Sequence, residues 1–239
     1  MNCLYRKCKS SKAFTLVELL VVISIIALLV AIVLPAINKA LVRSRAAALS
    51  MNAKSMYTSA LARDTGMVYV SSISWPQSTG TSFNFQNSTD YFEWLVTNDV
   101  MSVNYSFFAA PGVPSATRAE DWGADRNAWC IVADISEGSA ETLPVIFTRN
   151  LDINNLQEAA PNTLTAGQGG RVSILDPTKR PFGDRALAFV NYGGAAFALV
   201  DEMLTPDSFK EVFTVEIYNR ATGTYSPADN IVLRPGEGF

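Results

Sequence analysis

The sequence places an acid where an acid is hardest to keep. Glu18 is the fifth residue of the apolar run Phe14–Leu34, whose other polar residues are Thr15 and Ser24. A carboxylate inside a bilayer is costly unless donors or a cation meet it, so a residue of this type in this place marks function. Cutting the chain before Phe14 would supply a cation, because the new α-amino group is positive at neutral pH. It would lie four residues from Glu18, and on one helix the two would face each other at i, i+4 spacing. Between helices, the amine of one subunit would meet the acid of its neighbour, and the pair would then act as an alignment device.

Other residues offer less. The chain contains no histidine, which excludes histidine-dependent triads, histidine-bearing zinc sites and imidazole acid–base chemistry. Cys3 and Cys8 flank a basic stretch before the apolar run; Cys130, between Trp129 and Ile131, reads as a small buried hydrophobe. Glu120, Asp121 and Asp125 have carboxylates for calcium, but without an EF-hand pattern they read as a solvated loop. Gly167-Gln168-Gly169-Gly170 lacks the spacing and strand–helix setting of a nucleotide loop and reads as a flexible turn. Asp201-Glu202 reads as a polar strand end, and Trp75, Trp94, Trp122 and Trp129 as packing residues. No cofactor and no metal site is expected.

The elements that must position Glu18 follow from charge and hydropathy. Arg6, Lys7, Lys9 and Lys12 precede the run with no acid among them. The run itself has 21 residues and as a helix spans about 31 Å, close to the hydrocarbon thickness of a bilayer. It is longer than the core of a secretory signal peptide, and no small-x-small cleavage site precedes a polar start after it. Residues 64–239 hold ten of the 19 basic residues and 21 of the 22 acids. So acidic a domain is a poor nucleic-acid ligand, and the charge suits solubility outside the membrane.

Basic Arg6–Lys12, then Ala13, then Phe14-Thr15-Leu16-Val17-Glu18 and an apolar stretch resemble the N-terminus of type IV prepilins and type II secretion pseudopilins. The resemblance implies cleavage between Ala13 and Phe14 on the cytoplasmic side by a prepilin peptidase, which also N-methylates Phe14. Ala13 stands where the family usually has glycine. Glu18 becomes the fifth mature residue and Pro35 falls at mature position 22, where many pilins also carry proline; both are implied to serve assembly. Pro35 is expected to kink or locally melt the helix, since proline removes a backbone donor and crowds the preceding turn.

Residues 36–63 contain no glycine or proline, and Val42, Ala46, Leu49, Ala53, Met56 and Ala60 step by four and three into one apolar stripe. Tyr57 and Leu61 add an i, i+4 pair beside it, and Asp64-Thr65-Gly66 supplies a stop. Beyond it the sequence predicts short strands at Val68–Ile73, Trp129–Ile135, Val145–Thr148 and Phe213–Tyr218. It also predicts a helix over Tyr91–Asn98 capped within Ser88-Thr89-Asp90, and a brief helix over Asp207–Val212. Ala186–Tyr192 and Ala195–Val200 flank Gly193-Gly194 as a two-residue hairpin, and 160–185 reads as a long exposed loop. The expected fold is α+β: a long N-terminal helix packed on an antiparallel sheet, as in pilins. The segments are a leader at 1–13, a transmembrane and assembly helix at 14–35, an amphipathic continuation at 36–64 and an extracytoplasmic domain at 65–239.

The function expected from this reading is structural and not enzymatic: a filament subunit anchored in a prokaryotic inner membrane, its N-terminus in the cytoplasm and its globular domain outside. Expected partners are copies of itself or related pilins, the peptidase/N-methyltransferase and the pilus or secretion assembly machinery, with no nucleic acid. A membrane-tethered binding or adhesion module that does not polymerise is the alternative.

Overall fold

Leucine, isoleucine, valine and alanine without an internal glycine carry one helix, α1 (Leu16–Gly66), through 51 residues in this computed structural model. The structure describes residues 14–66, 75–78, 84–135, 139–219 and 224–236. Ala13, the rest of the leader and the expected strand at Val68–Ile73 lie outside them. The chain divides into two compact units at Leu41/Val42. In the first unit Pro35 lies inside the helix with helical turns on both sides, so no local melt is present there. Proline removes one i→i−4 bond, and strong helix formers on either side hold the neighbouring turns.

In the second unit the remainder of α1 buries the expected stripe. Ala46, Ala53 and Met56 are fully buried, Leu49 and Ala60 nearly so, and Val42 partly. Arg45 and Lys54 are exposed, and Arg43 is exposed but reaches Asp201. Leu61 differs from expectation: it stays 42% exposed. Tyr57 turns inward without it, because its hydroxyl donates to the Tyr192 carbonyl and its ring meets Trp75 edge-on at 6.1 Å.

The sheet under this helix has five antiparallel strands in the order β4-β3-β2-β1-β7. They are β1 (Trp129–Val132), β2 (Pro144–Thr148), β3 (Ala186–Asn191), β4 (Ala196–Val200) and β7 (Val232–Leu233). A separate two-stranded sheet joins β5 (Glu216–Asn219) to β6 (Thr224–Pro227). Register aligns Phe147 with Phe189 and Phe189 with Phe197. That aromatic row is covered by α3 (Pro206–Val212), whose capping residue Phe213 meets Phe147 and Phe189 edge-on at 6.0 and 5.0 Å. Alternation puts Ile146, Ala188 and Val190 on the opposite face, and they are buried too.

Two contacts fix the helix along β4. At one end, Arg43 donates from Nε and Nη2 to one carboxylate oxygen of Asp201, just past the strand, at 3.2 and 2.9 Å. At the other, Tyr57 holds the β3–β4 turn, where a Cβ on Gly194 would lie 3.2 Å from its ring. That turn has three residues and not the expected two. Asn191 N–H donates to the Ala195 carbonyl and Gly194 N–H to the Asn191 carbonyl, with Gly194 in the left-handed region at φ +78°.

Further differences have physical causes. The helix α2 (Ser88–Thr97) is capped by Asn87, whose side chain accepts from Asp90 N–H at 2.9 Å. Ser88 and Thr89 are engaged elsewhere, donating to the carbonyls of Trp129 and Pro235. The last predicted strand starts later, at Glu216, because Phe213 closes α3. The segment 160–185 is not simply an exposed loop: Val172, Leu175 and Phe182 are buried, and Leu175 bridges to Leu151. The Ala53 seat is closed on all sides, whereas Ala47 is exposed. Ala53→Leu should therefore destabilise the second unit by about 1–3 kcal/mol and Ala47→Leu should be near neutral, read by thermal unfolding of the detergent-solubilised chain.

Candidate functional site

Thr15 and Glu18 begin α1 as a reciprocal pair. The Thr15 N–H and hydroxyl both donate to Glu18 Oε2, at 2.8 and 2.7 Å, and the Glu18 N–H donates to Thr15 Oγ1 at 3.2 Å. This is a capping box, in which threonine before the first turn and glutamate three residues on satisfy donors that a helix start otherwise leaves open. Oε2 has thus spent both lone pairs, and among the described residues nothing bonds Oε1. Ser24, the remaining polar residue of the run, donates to the Val21 carbonyl at 2.8 Å. Every polar side chain of the run therefore has a partner inside its own helix.

The surface around this head is apolar and uncovered. Phe14 is 71% exposed, and the large aliphatic residues from Leu16 to Leu34 expose between 46 and 87% of their surface. The helix is long and apolar enough to cross a membrane. Leu29, Val30, Val33, Leu34 and Ile37 line a shallow apolar groove of about 210 Å³ on the side of the helix away from Pro35. Phe14, Glu18 and Pro35 thus share one exposed rod, with Phe14 and Glu18 at its head and Pro35 more than four turns along.

The other residues raised by the sequence are not brought together. Glu120 and Asp121 sit in an exposed 3-10 turn, and Asp125 pairs with Arg126 at 3.7 Å. Among the described residues no three acidic, cysteine or histidine groups converge as metal ligands. Gly169 and Gly170 take positive φ in a turn. A cleft of about 250 Å³ opens beside it, but its Arg171 is already neutralised by Asp184 at 3.0 Å. Asp201 and Glu202 open a 3-10 turn after β4. Trp75 and Trp129 are buried and Trp94 and Trp122 partly so, all within the core.

Cys130 is fully buried on β1, and burial pushes its thiol up to about 12 against the opposing pull of Arg234 and Arg149. Such a thiol is inert. The unfolded thiol ionises near ~8.5. The stability that comes from keeping Cys130 protonated is therefore complete below that pH and is lost as pH rises toward the folded value. At pH 8, alkylation of Cys130 should be at least about a hundredfold slower in the folded than in the unfolded chain, read by peptide mass spectrometry.

What sequence reading missed at the site is the role of Thr15. The signal was present as the Thr-x-x-Glu spacing of residues 15–18. Residues 8–34 match the family model described as prokaryotic N-terminal methylation motif. The match spans 27 of the 239 residues, and the motif is characteristic of type IV prepilins and pseudopilins. No curated protein and no solved structure matches the chain.

Proposed function

We propose that the protein is a structural subunit of a type IV pilus-like or type II secretion pseudopilus filament. The leader is cut between Ala13 and Phe14, Phe14 is N-methylated, and α1 carries the subunit from the inner membrane into the fibre. The observation that carries this reading is a long, uncovered apolar rod with a single carboxylate at its head, one oxygen of which is still open. Lipid solvates the rod before assembly; neighbouring rods replace lipid afterwards, burying the same surface without a new hydrophobic driving force. What then selects register is the Glu18 carboxylate meeting the ammonium of a neighbour's Phe14. The acidic domain stays outside and forms the fibre surface.

Mass spectrometry of the native protein should find a mature end at N-methylated Phe14; an intact Met1 would overturn the processing step. Glu18→Gln keeps the capping box, since glutamine also caps, and removes only the charge. It should insert into the membrane at wild-type level while its amount in sheared filaments falls about tenfold or more. Wild-type protein found in the membrane fraction alone would favour the tethered, unpolymerised module instead.

A further inference from the structure

We propose that the β4 edge of the five-stranded sheet is a docking strip for a second copy of the chain, which adds its β5 strand there in antiparallel pairing. The proposal rests on the filament reading above. The sheet ends in β7 on one side and β4 on the other. The β7 side is closed: Val232 N–H donates to the Asn154 carbonyl and Leu156 N–H to the Asn230 carbonyl, at 2.8 and 3.0 Å. The β4 side is open. Asn191 N–H donates to the Ala195 carbonyl, so in this register Phe197 and Leu199 bond to β3. The N–H and C=O groups of Ala196, Ala198 and Val200 then point away from the sheet, and among the described residues none of them has a hydrogen-bond partner. Nor does β4 carry a charge, a proline or a bulge, the usual means of blunting an edge, and four of its five residues are only half-buried.

The chain holds a second open edge of matching kind. In the two-stranded sheet, Ala228 N–H donates to the Val215 carbonyl at 2.7 Å. That parity turns the backbone groups of Tyr225 and Pro227 outward on β6 and those of Glu216 and Tyr218 outward on β5. Proline has no N–H to give, so Pro227 blunts the β6 side and leaves β5 as the edge able to pair. Two strands alone are marginal in water. The two sheets do not join within one chain, so β5 of one copy and β4 of another complete each other. The pairs inside both sheets are antiparallel, and the new pair follows them. Such a contact runs head to tail, since each copy that gives β5 still offers its own β4. It therefore propagates, where a β4–β4 pairing would close at two copies. Five residues of edge make a small interface, effective between copies already held side by side by their helices.

Cysteine pairs test the contact in cells that make the filament. Tyr218→Cys is combined with Ala196→Cys or with Ala198→Cys, because two registers set outward residues opposite each other. Their Cα atoms would lie about 5.5 Å apart, within disulfide range. Sheared filaments are oxidised and separated without reductant. One of the two combinations should give a ladder of disulfide-linked subunits, and the three single variants should give none. A further variant, Ala198→Pro, removes only a donor that β3 does not use. Thermal unfolding of the detergent-solubilised Ala198→Pro chain should stay near wild type while its amount in filaments falls about tenfold.

Filaments of both double variants without cross-links would overturn the proposal, as would wild-type filament content in Ala198→Pro. Linked dimers from Ala196→Cys or Ala198→Cys alone would overturn it in favour of two β4 edges paired with each other. Should Ala198→Pro lower the unfolding temperature strongly, the cross-links alone decide. Failure of the filament reading itself appears differently, as wild-type protein missing from sheared filaments, and removes this proposal with it.

Discussion

A polar group surrounded by hydrocarbon has no water to turn to, so it must be matched by a group on the protein. The first unit meets this requirement within a single helix. Backbone groups are matched turn by turn, Ser24 returns its hydroxyl to its own helix, and Thr15 and Glu18 close the open end. The capping box changes the meaning of the acid. Glu18 does not wait wholly unpaired for a cation, because Oε2 is already satisfied by local donors. What remains is one oxygen and one negative charge, a demand that a single ammonium can meet.

The second unit uses the same helix for the opposite purpose. Its buried positions alternate between alanine and larger apolar residues: Ala46, Leu49, Ala53, Met56, Ala60. Small side chains let a helix approach a packed surface closely, and the larger ones fill the space between. The sheet is also covered on its other face by Phe209 and Phe213 of the α3 region, whose rings stack at 5.0 Å. The central strands thus lie between two layers, which explains why β1, β2 and β3 are buried at every position.

That double coverage sets how much could be read from the residues alone. The α1 stripe was legible because one face of that half is buried and the rest wet, so a period near 3.6 survives in the sequence. Strands covered on both faces lose the period of two, and Trp129–Val132 and Pro144–Thr148 stood out through composition instead. The β3–β4 hairpin was legible from Gly193-Gly194, but its loop length was not, since Tyr192 was drawn out of the strand by contacts distant in sequence. Val172, Leu175 and Phe182 are too widely spaced among polar residues to form a pattern, so their burial was hidden. At the head of α1, the lone acid was conspicuous by its cost, whereas the threonine beside it looked ordinary until its hydrogen bonds were seen.

The pair of attachments at Arg43 and Tyr57 has a consequence for how this fold can vary. Fourteen residues of helix rise about 21 Å, and the stretch from Gly194 to Asp201 extends about 23 Å as a strand. The two lengths match. One residue added to the helix between them would turn everything beyond it by about 100° and carry one attachment off its target. Exposed side chains along this interval, such as Ala47 and Lys54, are free to drift, but its length is not. Insertions that enlarge or reshape the protein must be accommodated elsewhere, in the connections that neither attachment measures.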